Sequence, residues 1–478
     1  MAKSKVKRGL FFYLMILVFI LFGIFCVFTA ILIFNPGQDV FGLNLRYVSH
    51  IKAVDYYKLT ETDTLIQNLS YDTVEFNGGY TSFGITYDQD AVNTKISFKP
   101  SVTGLTRSED TKFHLKIELV GSKLVVSITE PEIWFGLHKG AIINFVCPKD
   151  TSFENVAFNI NTVSGAISVG DRTDNSYSIK DLNIKTDTGA ISIYSNMRVA
   201  SQNITIQAKE SRMSINSNIS GVLNIENEKG KIKIGTLCGD LRLNNSGTLE
   251  ADCKNVGGDV FIKGVNGYVR INNLGVTEIQ KGGTLNKVYG YVNEFAEGES
   301  LSGYIKGNLT TIDYVDNINI IVNSMVGNAT ITGCTGYVEI DKLYSQALIE
   351  TTTGSVKINE AHNKLDIKTT KGNIEVVQQG EDAKTTIDTQ NGIIIASFVK
   401  VGNAVLSTKT ANIEIRVATG EAFNLTYTTK NGIDVSWATT KWESSGTASI
   451  FGATAETTSS INASAENGKI VLKDGFKA

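Results

Sequence analysis

Residues 365–376 read LDIKTTKGNIEV and hold the twelve-residue pattern that decides the fold. Two pairs of apolar residues, each with one polar residue between its members, stand on either side of a polar segment that contains Gly372. Alternation with a period of two is typical of a strand with one buried face. A glycine between two such strands permits a positive φ at a bend. The pattern therefore predicts two short strands that meet near Gly372.

The same pattern recurs along most of the chain, at intervals of about twenty residues. Apolar residues fill all four slots in three further copies: Leu182, Ile184, Ile191 and Ile193 around Gly189; Leu223, Ile225, Ile232 and Ile234 around Gly230; Val260, Ile262, Val269 and Ile271 around Gly267. Copies also centre on Gly165, Gly336, Gly354, Gly392 and Gly468, and two more place Ser211 or Ala411 in the glycine slot. Repetition of one strand–bend–strand unit indicates a solenoid, in which each copy is a coil stacked on the previous one.

The overall composition limits the class of protein. The chain has 478 residues and a formal net charge of −3, so bulk electrostatics gives no reason to expect a nucleic-acid partner. Its four prolines are Pro36, Pro100, Pro131 and Pro148. A proline removes a hydrogen bond from a strand ladder, so the absence of proline after Pro148 suits uninterrupted strand pairing.

An apolar segment at residues 9–34 contains no charged residue and follows a basic stretch that ends at Arg8. Its length exceeds what a helix needs to cross the hydrocarbon core of a bilayer. The positive-inside rule then places the N-terminus in the cytoplasm and the rest of the chain outside the cell membrane. A cleaved signal peptide is the alternative, but its apolar core is shorter and ends in small residues. This segment ends in Ile31, Leu32, Ile33 and Phe34, which favours an uncleaved signal anchor.

The predicted fold class is all-β, a β-solenoid with an N-terminal β cap and one N-terminal transmembrane helix. The predicted segments are a cytoplasmic tail (1–8), the transmembrane helix (9–34), a stalk (35–63), an antiparallel β cap module (64–148), the solenoid (149–436), and a last coil with a C-terminal cap (437–478). Within the cap module, Gly121 and Ser122 separate two strand-like runs and predict a tight hairpin.

Two parts of the solenoid depart from the template. It is least regular between Val276 and Ser324, where glycine-rich stretches interrupt the alternation. Trp437, Trp442 and Phe451 interrupt the repeat before its copy around Gly468, and we expect these bulky side chains to cover the final coil.

Several repeats share a further motif: TVSGAISV at 162–169, TDTGAISI at 186–193 and TTTGSVKI at 351–358, the first of them after the strand, proline and turn of residues 142–156. This order resembles the bacterial putative-adhesin family, a group of β-solenoid domains of unknown function, over roughly residues 64–472. The resemblance implies a place at the bacterial envelope and an adhesive role. It supplies no catalytic residues.

Catalytic and metal-binding motifs are not found in the sequence. The histidines His50, His114, His138 and His362 have no metal-binding or triad-like spacing, and the five cysteines include no CxxC pair. We therefore expect no metal and no cofactor. The cysteines outside the apolar segment are interpreted as small buried residues; a disulfide such as Cys238 with Cys253 cannot be deduced from spacing.

Carboxylates on an outer face offer the one route to an enzyme. Glu339, Asp341 and Glu350, with Arg270, would suit glycosidic chemistry if they converged. Their spacing does not single them out from other surface charges, so the chain is predicted not to be an enzyme.

A repeated Gly-Tyr step supplies the candidate ligand-binding residues, Tyr268, Tyr291, Tyr304 and Tyr337. The residue after the template glycine points outward, so these tyrosines would form a row of rings able to stack on sugars. The alternative is that the rings stack on one another or on stalk residues, and so stiffen the weakest part of the solenoid.

The sequence thus predicts a membrane-anchored extracellular solenoid that acts as an adhesin or surface-binding module. Its partners would be the membrane and a cell-wall polymer, a glycan or a surface protein. The alternative is an envelope scaffold or spacer, or a stress-associated envelope protein, that binds no ligand. A polysaccharide-active enzyme comes third.

Overall fold

A computed structural model describes residues 13–27, 52–55, 62–65, 70–88, 90–106, 113–131, 135–148, 153–170, 177–194, 197–199, 203–216, 219–264, 266–437, 444–454 and 456–475. These residues form two compact units that divide near residue 149. Strands make up most of both units.

One helix, α1, lies at residues 13–27, and every side chain on it is exposed. Within the described ranges, no helix has both the length and the apolar character needed to cross a membrane. The predicted transmembrane segment at 9–34 extends beyond α1 on both sides, into residues outside those ranges. The predicted cytoplasmic tail and most of the predicted stalk also lie outside them.

The first unit contains most of eight strands: β1 (Lys52–Asp55), β2 (Thr62–Leu65), β3 (Thr73–Gly78), β4 (Thr81–Asp88), β5 (Lys95–Thr106), β6 (His114–Val120), β7 (Lys123–Thr129) and β8 (Phe135–Pro148). The hairpin predicted at Gly121 and Ser122 is confirmed, since β6 pairs antiparallel with β7 and Val120 faces Lys123. The unit was predicted to be antiparallel, but one of its pairings is parallel, that of β4 with β8. Stacked rings of Phe76 and Phe83, with centroids 4.6 Å apart, lie in its core.

The second unit contains the solenoid. Its first strands are β9 (Ala157–Ser164), β10 (Ile167–Val169), β11 (Tyr177–Ile179), β12 (Leu182–Ile193), β13 (Met197–Val199), β14 (Asn203–Ile215), β15 (Val222–Leu237), β16 (Asp240–Val256), β17 (Val260–Gly264) and β18 (Asn266–Leu274). The middle strands are β19 (Val276–Lys281), β20 (Thr284–Tyr289), β21 (Glu299–Ile305), β22 (Leu309–Val315), β23 (Ile318–Met325), β24 (Ala329–Cys334), β25 (Val338–Leu343), β26 (Ala347–Thr351), β27 (Val356–Ala361) and β28 (Leu365–Thr369). The remaining strands are β29 (Ile374–Gln378), β30 (Lys384–Thr389), β31 (Ile394–Phe398), β32 (Asn403–Thr408), β33 (Ile413–Val417), β34 (Phe423–Thr429), β35 (Ile433–Val435), β36 (Ser445–Ile450), β37 (Ser460–Ala465) and β38 (Ile470–Asp474).

Parallel pairing between successive coils confirms the predicted template. Gly189 lies beside Ser211 and Ser211 beside Gly230, so serine does occupy the glycine slot. The inward slots are buried, and both Ile367 and Ile374 are at most 1% exposed. The coils of β12, β14, β15 and β16 are single long strands, whereas the coils from β17 onward, apart from β19–β21, are two separate strands that pair with their equivalents in neighbouring coils.

The template glycines serve two different purposes. Gly189 and Gly267 have φ angles of 140° and 121°, as the predicted bend requires. Gly354, Gly372 and Gly392 do not have a positive φ, so the prediction is wrong for them. An added Cβ at Gly372 or Gly392 would overlap the carbonyl oxygen of the glycine one coil earlier. Glycine is needed there because neighbouring backbones approach closely.

A ladder of buried threonines lies beside these glycines and accounts for the threonine of the repeated motif. Thr351 donates to the carbonyl oxygen of Gly354 (2.9 Å), and Thr408 donates to that of Gly392 in the neighbouring coil (3.2 Å). Thr369, Thr389 and Thr429 occupy the same position in other coils and are at most 2% exposed. The hydroxyls thus satisfy turn carbonyls within the core.

The irregular stretch from Val276 to Ser324 contains an insertion. Strands β19, β20 and β21 form a separate antiparallel sheet in the order β20-β19-β21. The coils resume after it, because β22 pairs with β17 and β23 with β18.

Two coils were not predicted because they lack the template glycine. Leu249 and Ile318 occupy the glycine slot in these coils.

The coil around Gly468 does not have the predicted terminal place in the stack. Strand β37 pairs with β32 on one side and β34 on the other, and β38 likewise lies between β33 and β35. Strand β36 then pairs antiparallel with β34. Trp437 stacks on Phe451 with ring centroids 5.1 Å apart, while Trp442 lies outside the described residues.

Candidate ligand-binding face

Tyr268 and Tyr337 lie in one outward column of the solenoid. Tyr268 is in register with Asn319 of the next coil, and the backbone N–H of Tyr337 donates to the side-chain oxygen of Asn319 (2.9 Å). The tyrosines are therefore two coils apart, or about 10 Å at the usual strand spacing. Both rings are partly exposed. The predicted outward position is confirmed for this pair.

Tyr268 is flanked by a carboxylate and a guanidinium group. Its hydroxyl donates to Asp252 Oδ2 (3.2 Å), and Arg270 Nη1 lies 3.6 Å from Asp252 Oδ1. The Arg270 guanidinium carbon is 5.9 Å from the centre of the Tyr268 ring, within cation–π range. Partial burial and the negative charge of Asp252 raise the pKa of Tyr268.

Tyr337 also has a carboxylate neighbour, which lies on its own coil rather than on the previous one. Burial, followed by the charge and hydrogen bond of Glu339, raises the pKa of Tyr337 to about 12. Glu339 Oε1 lies 3.9 Å from Lys357 Nζ of the next coil. Each tyrosine thus remains protonated at neutral pH and has a carboxylate beside it.

Tyr291 and Tyr304 lie elsewhere, on or next to the inserted sheet, so the four tyrosines do not form one row. Tyr291 is only 9% exposed. Its ring centroid is 5.1 Å from that of Tyr344 and 5.0 Å from that of His362, and Tyr304 lies 4.2 Å from Tyr344. These two tyrosines follow the alternative interpretation, in which the rings stack on one another.

A polar anchor accompanies this aromatic cluster. His362 Nε2 is 2.8 Å from Glu360 Oε1, which also accepts a hydrogen bond from the Asn293 side chain (3.2 Å). The contacts fasten the inserted sheet to the turns of two adjacent coils. Tyr344 and His362 were not predicted from the sequence, although they follow equivalent strands, β25 and β27, one coil apart.

The carboxylates considered for catalysis are spread over different strands. Glu339 and Asp341 lie on β25, whereas Glu350 lies on β26, in register with Lys368. Asp341 accepts a hydrogen bond from Asn359 (2.9 Å), and Arg270 lies on β18 beside Tyr268. Across the described part of the chain, no group of three or more His, Cys, Asp or Glu side chains is placed to hold a metal ion.

The cysteines are all free, and the prediction that they are buried holds for Cys147, Cys253 and Cys334. It is wrong for Cys238, which is exposed and whose Sγ lies 3.2 Å from the hydroxyl of Tyr289 in the inserted sheet. Burial raises the pKa of the Cys253 thiol to about 12.

Residues 305–432 match the model of the Toastrack DUF4097 family. The family resemblance predicted from the repeats is confirmed for this part of the chain, which carries a Toastrack DUF4097 segment. No curated protein is detectably similar to the chain.

Three solved structures align with most of the chain at low identity. A putative cell adhesion protein from Clostridium sporogenes ATCC 15579 is 8% identical, with a TM-score of 0.14 and coverage of 87% of this chain and 99% of the other. A putative adhesin from Parabacteroides merdae ATCC 43184 is 11% identical (TM-score 0.21, coverage 73% and 96%), and one from Bacteroides fragilis NCTC 9343 is 8% identical (TM-score 0.16, coverage 87% and 97%). These TM-scores are too low to transfer a fold or a role to this chain.

Proposed function

We propose that this chain is a membrane-anchored surface protein whose solenoid binds an extended glycan, such as a cell-wall polymer, along the column of Tyr268 and Tyr337. The observation that carries the proposal is a pair of partly exposed rings in one outward column, two coils apart, each with a carboxylate beside it. The two sites share one orientation because they occupy the same position of the repeat.

The chemistry of the two sites suits a sugar. A tyrosine ring offers an apolar face to the C–H face of a pyranose, and its hydroxyl stays available for hydrogen bonds. Asp252 and Glu339 would accept hydrogen bonds from sugar hydroxyls, and Arg270 would donate them. The separation of about 10 Å is roughly the length of one disaccharide, so a linear polymer running along the stacking direction would meet both rings.

Anchoring in the membrane is part of the proposal. The uncharged segment at 9–34 with its basic flank supports a single-pass anchor, with the N-terminus in the cytoplasm and the bulk of the chain outside. The apolar side chains of α1 are exposed, for instance 65% of Phe25 and 67% of Phe19, which suits a lipid environment.

A scaffold or spacer is the second candidate, favoured by a different observation. The rings of Tyr291 and Tyr304 pack against Tyr344, and ion pairs link neighbouring coils, such as Lys231 with Glu250 (2.7 Å). Such contacts stiffen a solenoid without any ligand. Exposed ion pairs add at most about 1 kcal/mol each, so they do not by themselves require a binding role.

The experiment is binding of the full chain, in detergent or in nanodiscs, to isolated cell walls and to a panel of soluble polysaccharides. The test protein carries Tyr268→Ala and Tyr337→Ala, and a second protein carries Tyr→Phe at both positions. The control is Tyr80→Ala, which removes a tyrosine that is 51% exposed in the other unit.

Saturable binding by the unaltered chain and by the Tyr80 control is expected, with a loss of about tenfold or more in the double alanine variant. Two stacking contacts of roughly 0.5–1.5 kcal/mol each account for that loss. The double phenylalanine variant keeps the stacking and is expected to retain most of the affinity. If the double alanine variant binds as well as the unaltered chain, the tyrosine column is not the binding site. If the unaltered chain binds no cell wall and no glycan, the scaffold function is favoured.

A further inference from the structure

The coil formed by β37 and β38, Ser460–Asp474 and hereafter the inserted coil, lies between two coils that precede it in the sequence. One neighbour is the coil of β32 and β33, and the other is the coil of β34 and β35. In a solenoid built in sequence order, those two neighbours would stack directly on each other. Here they stand two strand spacings apart. The slot between them is filled by residues that follow both coils in the sequence.

Backbone hydrogen bonds join the inserted coil to both walls of the slot. On one side Ser460 donates to Gly402 (2.9 Å), and Ile413 donates to Lys469 (3.0 Å). On the other side Ser436 donates to Leu472 (2.9 Å). Ile461, Ala463, Ala465, Ile470 and Leu472 continue the inward columns and are at most 1% exposed. Without the inserted coil, both walls would present unpaired strand edges and an exposed core, which is the condition under which an edge recruits another strand.

Side chains make the slot specific for this coil. Glu414 on one wall receives Lys473 Nζ (2.9 Å), and Asp434 on the other wall pairs with Lys469. Thr429 donates to the carbonyl oxygen of Gly468 (2.7 Å). A Cβ at residue 468 would overlap the carbonyl oxygen of Ala411, so the slot accepts glycine there. The best-matched occupant is therefore this sequence itself.

The connection to the inserted coil permits a change of partner. Residues 451–459 join β36, outside β34, to β37, inside the slot. They begin at Phe451 and Gly452, with φ angles of 50° and 82°, and Phe451 is 37% exposed. Phe451 is one of the few non-glycine residues of the described ranges in the left-handed region, which is strained for a bulky side chain. An extended connection would relieve that strain and carry the coil to another molecule.

We propose that the slot between the β32–β33 and β34–β35 coils also accepts the inserted coil of a second copy of this chain, which links two molecules by exchange. The same contacts form within one molecule and between two, so the balance depends on concentration. A coil tethered by a short loop has an effective concentration on the order of mM. Exchange is therefore favoured when the slot is still empty during folding and neighbouring chains are crowded. This inference does not depend on the proposed glycan binding.

Two single-cysteine proteins test the exchange. One carries Ser407→Cys and the other Ser464→Cys, because these residues face each other in register across β32 and β37. Both full-length proteins also carry Cys26→Ser and Cys238→Ser, which remove the exposed native thiols. The proteins are unfolded together, refolded under reducing conditions at a series of concentrations, and then oxidised. Non-reducing electrophoresis and peptide mass spectrometry identify the disulfide.

The matched control replaces Ser407→Cys by Asp388→Cys. Asp388 lies in the same column but is in register with Ser407, so it is one coil farther from residue 464 and too distant for a disulfide. A chain that carries both Ser407→Cys and Ser464→Cys checks the geometry, since it is expected to cross-link within itself at low concentration.

The expected result is a dimer linked between residues 407 and 464, absent from the Asp388 control, whose fraction rises with refolding concentration. The proposal is overturned if the two-cysteine chain cross-links internally while the mixture of single-cysteine chains yields no dimer at any concentration. Equal dimer in the Asp388 control would also overturn it, because the link would then reflect random collision.

Discussion

Replacement of Ile367 by alanine tests whether the inward columns hold the solenoid together. Ile367 is fully buried and lies in a ladder between Ile349 and Ile387 of the adjacent coils. The substitution removes three carbon atoms, and at about 0.8 kcal/mol each the lost transfer free energy is about 2.4 kcal/mol. The coils above and below are held by backbone hydrogen bonds and cannot close the cavity fully, so the total rises to about 3–4 kcal/mol.

The assay compares urea unfolding of the unaltered and variant full chains by circular dichroism. Hydrogen exchange of peptides from β26 to β31 accompanies it, because stacked repeats can open locally before the whole chain unfolds. Ile393→Ala is the matched control, since it makes the same chemical change at an outward position that is 44% exposed. Its expected effect is within about 0.5 kcal/mol.

A loss below about 1 kcal/mol for Ile367→Ala, or a loss equal to that of Ile393→Ala, would refute the reasoning. Either result would mean that position 367 is not enclosed by neighbouring coils. Increased exchange confined to the coils beside residue 367 would support the stacked arrangement.

Three further outcomes are expected. Thr408→Val, which removes the hydroxyl that donates to Gly392, should lower the free energy of unfolding by about 1 kcal/mol, and Thr408→Ser should restore it; equal stability of all three proteins in urea would contradict the ladder. The pKa of Glu414 is lowered overall, because hydrogen bonds and charges from two neighbouring cations outweigh its partial burial. Its contribution to stability is then present above the unfolded pKa and lost as pH falls through the folded one, so Glu414→Gln should flatten the decline in urea midpoint below about pH 5; an unchanged decline would contradict this. Ellman's reagent should label Cys238 in the native protein but Cys253 only after unfolding, and a native labelling yield unchanged by Cys238→Ser would show that residue 238 is not accessible.

The sequence was sufficient to assign residues to the inside or the outside of the coils that match the template. Alternation with period two is a local property, so Ile191 and Ile232 could be placed in the core from their neighbours alone. The outward position of Tyr268 and Tyr337 followed for the same reason, because both come directly after a template glycine. Tyr291 and Tyr304 also follow glycines, but they belong to the insertion or its link to the coils, where the template does not apply.

What the sequence did not predict depends on contacts between distant segments. Leu249 and Ile318 fill the glycine slot, so their coils are recognisable only from the register of neighbouring coils. The order of stacking was also not predictable, because every coil has the same alternation and would fit beside almost any other. The ion pair between Glu414 and Lys473 favours β38 as the neighbour of β33 over other strands. Its two residues are far apart in the sequence, so the pairing could not be inferred from local pattern.

The position of the tyrosine column limits what a bound glycan can contact. Toward the N-terminal coils the column continues from Tyr268 with Glu250 and Lys231, which are already paired with each other. Beyond Tyr337 it continues with Ser355, Asn373, Ile393 and Asn412, none of which is aromatic. The aromatic platform therefore spans only the coils of β18, β23 and β25, and the threonine ladder and the inserted coil lie in coils beyond it. Recognition through these rings, as proposed, would use a short stretch of polymer, while the remaining coils would keep the two rings in register.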